Sequence, residues 1–231
     1  MNTIQLQQWI VDRGGDIAVD GQFGSKTRAA LIGCFNRKDA PAITDMQMRV
    51  LASRLGCTIR QIKAVAAVES SGGGWDNAGQ LKALYERHYA WRRVQIQTPL
   101  LSSPKPGGYT IDIDHDGIND SWEKLADATA RWGDKIAFEC ASFGKFQIMG
   151  AWWKKLGYSS AIDFAFGMAR EEFAHYEAFA RYISGFGLTR ALQAVDGNAE
   201  NCRAIAKGYN GSAYAKHNYH GRIAAAYRAA K

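Results

Sequence analysis

Apolar residues recur every three or four positions over much of the chain, which is typical of helices with one buried face. Leu6, Trp9 and Ile10 share such a face in a first predicted helix, which ends before Gly14. Ser25 can cap a second helix, since its hydroxyl can accept a hydrogen bond from a backbone N–H of the first turn. The N-terminal segment is therefore predicted to contain two short helices.

The pattern resumes after a junction at 36–44. A helix that ends at Gly56 comes first, and Thr58 with Gln61 then forms a capping box that opens another. Apolar residues surround most of this next helix, which indicates a buried central element, and Glu69 lies on its last turn. Its apolar positions are Ile59, Ile62, Val65, Ala66 and Val68.

The remaining pattern predicts further helices and few strands. Helices are expected over 81–93, 160–185, 198–207 and 221–231, and strand signals are confined to 109–113. The predicted fold class is therefore mostly α, with a small β element.

Length and composition are those of an ordinary globular protein. The chain has 231 residues, of which 47% are hydrophobic and 22% charged, enough for one sizeable domain and a small one. No apolar run approaches the roughly 20 residues that a membrane helix needs. The N-terminus has no charged segment followed by an apolar one, so we expect synthesis in the cytoplasm without a signal peptide.

Cysteines and charge narrow the possible chemistry. The four cysteines are widely spaced and form no C-x-x-C pair, so we expect reduced thiols rather than a zinc site or a disulfide framework. The formal net charge of +7 favours a polyanionic partner. We expect no nucleic acid partner, because basic runs interleaved with aromatics and recognition motifs are both missing from the sequence.

Three short motifs carry the functional signal. Glu69-Ser70 ends an apolar helix, F-G-K-F-Q-I-M occupies 143–149, and G-Y-N-G occupies 208–211. Together they resemble the signature of goose-type lysozymes and soluble lytic transglycosylases. The chain from Glu69 onward looks more like the N-acetylmuramidase domain of phage endolysins. This resemblance implies a lysozyme-like α+β fold and cleavage of the glycan strand of peptidoglycan, a partner that also suits the positive charge.

Glu69 has the environment that a general acid needs. Glycoside hydrolysis requires a protonated carboxyl, and hence a raised pKa at neutral pH. The negative end of the helix dipole and apolar neighbours such as Val65, Val68 and Trp75 both disfavour the ionised form. We therefore predict that Glu69 is the catalytic acid.

A hydrolase of this kind also needs a second carboxylate, either as nucleophile or as the base that activates water. The candidates are Glu86 and Glu139, both in segments that resemble patterned stretches of the muramidase family. For Glu86 the competing interpretation is an ion pair with Arg87 or Arg92. For Glu139 a structural hydrogen-bonding role is favoured. The sequence leaves the choice between them open.

Neutral polar and aromatic side chains are predicted to bind the substrate. The resemblance places Ser70, Gln147, Tyr209 and Asn210 at motif positions, where hydroxyls and amides suit an N-acetyl sugar. It also implies a hydrogen bond from Tyr209 to the catalytic carboxyl. Candidate surfaces for stacking on sugar rings are Trp75, Tyr85, Trp152 and Trp153.

The N-terminal segment resembles a second family. V-D-G-Q-F-G-S-K-T-R-A-A-L, which begins at Val19, is similar to the small helical peptidoglycan-binding module found beside many wall hydrolases. The match covers about 4–37 and ends in Phe35-Asn36, where Phe-Gln is expected one position earlier, so the module looks trimmed. We predict a binding module at 1–40 and a catalytic domain at 41–231. The alternative for the module is a packing helix pair without ligand affinity.

An acidic loop at 112–123 fits D-x-D-x-D-G-x5-E, the pattern of a calcium-binding loop. Prolines and glycines at 104–108 prevent an entering helix, so a solitary half-hand is the better comparison. We expect a structural Ca²⁺ ion and no organic cofactor, with a solvated acidic loop as the alternative. The predicted ligands are Asp112, Asp114, Asp116, the carbonyl of Ile118, Asp120 and Glu123.

The sequence thus predicts an endolysin that cleaves between N-acetylmuramic acid and N-acetylglucosamine once another agent has opened the inner membrane. Two alternatives stay open, a lytic transglycosylase that forms 1,6-anhydro ends and a non-catalytic, calcium-dependent wall-binding protein. We expect a monomer. The basic amphipathic tail at 221–231 either touches the anionic outer membrane or docks as a surface helix, and docking is favoured.

Overall fold

The computed structural model describes residues 1–70, 72–109, 115 and 119–230. Its contacts divide the chain into two compact units, each made of two separate stretches of sequence. The first comprises Met1–Ala40 with Gly74–Arg170, and the second Pro41–Gly73 with Glu171–Lys231. Among the described helices, none has the length and apolar character needed to cross a membrane.

The described helices, in chain order, are α1 Thr3–Val11, α2 Ser25–Gly33, α3 Asp45–Leu55, α4 Ile59–Glu69, α5 Arg87–Val94, α6 Asp120–Trp132, α7 Asp134–Glu139, α8 Ala161–Met168, α9 Glu172–Gly185, α10 Thr189–Gln193, α11 Arg203–Asn210 and α12 Tyr219–Ala229. Short 3₁₀ helices occupy Gly150–Trp152 and Gly211–Ala215. The strands are β1 Ala83–Tyr85, β2 Ala141–Phe143 and β3 Ile148–Met149.

The two predicted N-terminal helices are present in the first unit. A capping box between Asn2 and Gln5 opens α1. Ser25 does not cap α2 as predicted, because Gly24 holds the cap position and Ser25 is the first helical residue. The cap of α2 therefore has no side-chain hydrogen bond.

A small antiparallel sheet in the first unit has the order β1-β2-β3. Ala83 lies opposite Phe143, and Phe143 opposite Ile148. The helix predicted over 81–93 is wrong in its first half, since burial alternates from residue 81 to residue 85, the period of a strand rather than of a helix. Of the predicted strand at 109–113, only Tyr109 lies within the described residues, and it is in no strand.

Aromatic rings from both stretches of the first unit form its core. The ring of Phe35 lies 4.7 Å from Trp122 and 5.4 Å from Phe138. The indole N–H of Trp122 donates to the carbonyl of Leu81 at 2.7 Å. The N-terminal helices consequently share one core with 74–170. The predicted division into a binding module at 1–40 and a catalytic domain at 41–231 concerns sequence families, and it stays a prediction.

The second unit surrounds α4. The capping box of Thr58 and Gln61 is confirmed. Ile62, Ala64 and Val65 are fully buried, and α12 packs against this helix with Ile223 and Ala224 buried. A left-handed Gly56, with φ of 61°, ends α3 and turns the chain into α4.

The later predicted helices differ from the structure in their bounds. The span 160–185 is broken between α8 and α9, because Glu171 has an extended backbone at the point where the chain passes from one unit to the other. The span 198–207 begins only at Arg203, since Asn198 and Glu200 donate their amides to preceding side chains in turns. The last helix starts at Tyr219, two residues before the predicted position.

Candidate functional site

Glu69 is the last residue of α4 and is half-buried. The helix stops there because Ser70 has an extended backbone. Burial raises the pKa of the Glu69 carboxyl to about 7, while the amide of Asn210 and the positive charge of Arg222 act in the opposite direction. A substantial fraction of Glu69 is therefore protonated at neutral pH, as the sequence predicted.

Asn210, the last residue of α11, holds Glu69 in place. Its Nδ2 donates to Oε1 of Glu69 at 2.7 Å and to the carbonyl of Ala206 at 3.3 Å. The second bond anchors the amide to its own helix, so the first bond fixes the direction of the carboxyl. The second unit thus brings the first and last predicted motifs together.

Tyr209 precedes Asn210 and lies beside the rings of Phe179 and Tyr182, at centroid distances of 6.1 and 5.2 Å. Burial, followed by the negative charge of Glu69, raises the pKa of its phenol well above the usual value. Tyr209 is therefore a neutral aromatic neighbour of the carboxyl. Glu69 accepts a hydrogen bond from Asn210, and the bond from Tyr209 that the resemblance implies stays a prediction.

Ser70 shapes the end of α4. Its Oγ donates to the carbonyl of Ala66 at 2.6 Å. The hydroxyl hydrogen is thus used within the helix, and Ser70 can offer a substrate only the lone pairs of its oxygen. Its predicted binding role stays a prediction.

Glu86, in the first unit, lies between β1 and α5. Its Oε2 accepts a hydrogen bond from the hydroxyl of Tyr109 at 2.6 Å and lies 3.1 Å from Nδ1 of His88. The alternative of an ion pair with Arg87 is wrong, because that guanidinium donates to the carbonyls of Gly107 and Pro99. Glu86 is thus a carboxylate held by neutral or titratable partners.

Glu139, at the end of α7, has both carboxylate oxygens engaged. Nε of Arg93 donates to Oε2 at 3.0 Å, and the indole N–H of Trp153 donates to Oε1 at 2.9 Å. This arrangement supports the structural role that the sequence favoured. It also gives Trp153 a polar function that sequence reasoning did not anticipate.

Gln147 stabilises the turn between β2 and β3. Its Nε2 donates to the carbonyl of Gly144 at 2.8 Å, and its Oε1 accepts from the hydroxyl of Ser142 at 2.9 Å. The backbone of Gln147 has a φ of 47°, a left-handed conformation that is uncommon for a residue with a side chain. Such strain persists only where the surroundings hold it, and here the amide bonds do so.

Among the aromatic candidates, Trp75 is half-buried, and its backbone forms an isolated β-bridge with Leu81. It lines a cavity of about 240 Å³ together with Arg37 and Asn77. Tyr85 was wrongly predicted as a stacking surface, because only 1% of it is exposed and its hydroxyl donates to the carbonyl of Leu101.

The acidic loop is only partly described. Asp112, Asp114, Asp116 and Ile118 lie outside the described residues. Asp120 is buried, 3.9 Å from Nζ of Lys124, and Glu123 pairs with Arg28 at 3.0 Å. Within the described part of the chain, no three potential metal ligands cluster. Both described carboxylates already face a cation of the protein, and the calcium site stays a prediction.

The predicted site residues therefore form local groups. Glu69, Ser70, Tyr209 and Asn210 belong to the second unit, whereas Trp75, Glu86, Glu139 and Gln147 belong to the first. Sequence reasoning missed the partners Tyr109 and Arg93. Both lie far along the chain from the carboxylates that they contact, and no local pattern marks such pairs.

Comparison with known families identifies the chain. Residues 58–231 match the family model described as N-acetylmuramidase, which is most of the sequence. The chain belongs to the N-acetylmuramidase family. Residues 2–75 match a model described as a predicted peptidoglycan domain, so the predicted order of a peptidoglycan-binding segment and a muramidase domain is confirmed.

A solved structure resembles this muramidase over nearly its whole length. The crystal structure of the Burkholderia AP3 phage endolysin has a TM-score of 0.72 and 29% sequence identity, and the match covers 98% of this chain and 93% of that one. No curated protein sequence matches the muramidase. The mostly helical, lysozyme-like fold class is confirmed, and the protein is a glycoside hydrolase that acts on peptidoglycan.

Proposed function

We propose that this muramidase hydrolyses the β-1,4 bond between N-acetylmuramic acid and N-acetylglucosamine, with Glu69 as the general acid. One observation carries the proposal, a half-buried carboxyl with a pKa raised to about 7 and a direction fixed by Asn210. Such a group retains a proton at neutral pH and can deliver it to the leaving oxygen of a glycoside.

The hydrogen bond from Asn210 determines which oxygen of Glu69 carries the proton. The carbonyl oxygen of a neutral carboxyl is a better acceptor than its hydroxyl oxygen, so the amide bond to Oε1 favours the proton on Oε2. Proton transfer to the glycosidic oxygen leaves a carboxylate, and the amide bond to Oε1 then becomes stronger because its acceptor is charged. Asn210 therefore stabilises the state that follows proton transfer more than the state that precedes it.

Glu86 is the proposed second carboxylate. Its Oε2 accepts a hydrogen bond from the hydroxyl of Tyr109 and lies close to His88. No described residue is hydrogen-bonded to its Oε1. An oriented carboxylate with one available oxygen can accept a proton from water or attack the anomeric carbon. Glu139 is less suited to this role, because Arg93 and Trp153 occupy both of its oxygens.

The biological role that we propose is that of an endolysin, because the similar phage protein is an endolysin. The enzyme would reach peptidoglycan in the periplasm after another agent opens the inner membrane. Burial of Ile223 and Ala224 against α4, together with the hydrogen bond from Arg228 to the carbonyl of Gly197, supports a docked surface helix at the C-terminus. Contact with the outer membrane and a monomeric state stay predictions.

Mass spectrometry of the soluble products from purified peptidoglycan tests this function. We expect reducing N-acetylmuramic acid ends from the wild-type enzyme and none from Glu69→Gln. Anhydro ends, one water lighter, would assign the transglycosylase chemistry instead. Release of reducing N-acetylglucosamine ends would refute the proposed bond. No release of fragments by the wild-type protein would support a non-catalytic wall-binding protein.

A further inference from the structure

A groove lies in the first unit between α2 and the loop that follows α1. It has a volume of about 480 Å³ and lies within the segment that matches the peptidoglycan domain. Ala29, Ala30 and Gly33 of α2 line one side, and a side-chain carbon added at Gly33 would meet nothing within 4 Å. The groove is therefore open to a ligand along a helix face made of small residues.

The opposite side of the groove is held firmly. The guanidinium of Arg13 lies 3.9 Å from the ring centre of Trp9 and pairs with Asp163 at 3.0 Å. Gly15 fits so closely against Ile10 that an added side-chain carbon would lie 2.3 Å from the Cγ2 atom of Ile10. A wall with this packing keeps its shape before a ligand arrives, which reduces the entropy lost on binding.

Two opposite charges lie at the groove. Asp16 and Lys26 both line it, and both also line an adjoining cavity of about 520 Å³. Both side chains are exposed, and within the described part of the chain neither has an ion-pair partner. The groove thus offers one cation and one anion to a ligand. Apart from Arg13, which is paired with Asp163, the other residues that line it are uncharged, and most of them are small.

We propose that this groove binds the peptide stem of peptidoglycan, through Lys26 to a stem carboxylate and through Asp16 to a stem ammonium group. Stem peptides carry both kinds of group, whereas the N-acetyl sugars of the glycan carry no ammonium. Small residues along the helix face leave room for an extended peptide backbone. The inference rests on the proposed function for its substrate, but it concerns binding and not the cleavage step.

The test uses the full-length Glu69→Gln protein, so that the wall is not degraded during the measurement. Binding to purified sacculi is compared with binding to the soluble glycan strands that remain after an amidase has removed the stems. We expect tight binding only when the stems are present. Free stem peptide should compete for binding, and chito-oligosaccharide should not.

Variants in the same background locate the site. Gly33→Phe fills the groove from a helical position where the side chain has space, and we expect binding to weaken by at least about tenfold. Lys26→Gln and Asp16→Asn should each weaken it by about fivefold, the effect of one exposed charge interaction. Gly167→Phe and Lys135→Gln are the matched controls, since Gly167 is also a helical glycine with open space and Lys135 is exposed outside the groove.

Equal binding to sacculi and to stem-free glycan strands would overturn the proposal, and so would unchanged affinity in Gly33→Phe. Circular dichroism of each variant separates loss of binding from loss of folding. Failure of the proposed function is recognised separately, since the wild-type protein would then release other products or no fragments, while the binding measurements remain interpretable.

Discussion

Nδ2 of Asn210 donates to Oε1 of Glu69 across 2.7 Å and ties the end of α11 to the end of α4. This bond lowers the pKa of a carboxyl that burial raises to about 7. Two opposing influences thus determine how much of the acid is protonated at neutral pH. The balance between them can be shifted by one substitution.

Removing the side-chain amide of Asn210 should shift the alkaline limb of the pH–activity profile. In Asn210→Ala the carboxylate loses its donor, so the pKa of Glu69 rises above about 7 and activity persists to higher pH. The maximal rate should fall roughly 10- to 100-fold, because a charge-assisted hydrogen bond to the developing carboxylate is lost. The measurement is kcat/KM against pH. Asn201→Ala removes an amide that bonds Asp196 in the same unit, and it should leave the profile in place.

Glu69 should reduce the stability of the folded protein at neutral pH. Its folded pKa of about 7 lies above the ordinary value of 4.5, so the folded state binds more protons between these two pH values. The free energy of unfolding therefore falls as pH rises from about 4.5 to about 7. Glu69→Gln should remove this dependence and stabilise the protein by roughly 1–3 kcal/mol at pH 7 to 8.

Urea denaturation at pH 5 and pH 8 measures this effect. Glu171→Gln, a carboxyl substitution elsewhere in the same unit, serves as control and should not reproduce the gain. Activity should respond in the opposite way, with a loss of about 10²- to 10⁴-fold in Glu69→Gln. A variant that lost activity without gaining stability at pH 8 would contradict the raised pKa.

Glu86 and Glu139 should differ in what their loss affects. Glu86→Gln is expected to lower kcat by about 10²- to 10⁴-fold with little change in melting temperature. Glu139→Gln should instead lower the free energy of unfolding by about 1–3 kcal/mol, because Arg93 would be left half-buried without a charged partner. Steady-state kinetics and urea denaturation of both variants provide the comparison. The opposite pattern would transfer the second catalytic role to Glu139.

Tyr109 should act through Glu86 and not on the substrate directly. Tyr109→Phe removes a hydroxyl that donates to Oε2 at 2.6 Å, so the carboxylate is oriented less firmly. We expect kcat to fall by about 3- to 10-fold with KM unchanged, because the carboxylate is less often in its reactive orientation. A change confined to KM would instead indicate contact with the substrate.

Calcium binding should compete with the ion pair between Arg28 and Glu123. If Glu123 is a ligand, Ca²⁺ at roughly 100 times its dissociation constant should stabilise the protein by about 2.7 kcal/mol. Arg28→Gln should then strengthen binding, since Glu123 no longer faces a guanidinium at 3.0 Å. Isothermal titration of the full chain with Ca²⁺ is the measurement. No heat and no shift in melting temperature would remove the metal from this loop.

Local signals in the sequence predicted much of the helical framework and the acid at the end of α4. Thr58 and Gln61 mark the start of that helix within four residues, and the apolar positions that follow mark its burial. The carboxyl of Glu69 could be singled out because helix end, apolar neighbours and motif all coincide on it. Caps, apolar spacing and short motifs each involve residues that are close along the chain, so the sequence alone reveals them.

The sheet and the contacts of the carboxylates were harder to predict. Ala83 and Tyr85 are buried and alternate with half-buried residues, but the span is too short to outweigh the helical pattern beside it. Tyr109 lies 23 positions from Glu86, and Arg93 lies 46 from Glu139. Contacts at these separations depend on how several elements pack, so spacing along the chain does not indicate them.

The close packing of α4 against α12 has a consequence for the order in which the protein matures. α4 leaves the ribosome before α12 has been made, because α12 begins 150 residues after the end of α4. Until then the apolar surface around Ile62 and Val65 lacks its partner helix, and Asn210 is not there to hold Glu69. The nascent chain therefore carries no assembled acid until α11 and α12 have been made, and the lytic activity can arise only after that point.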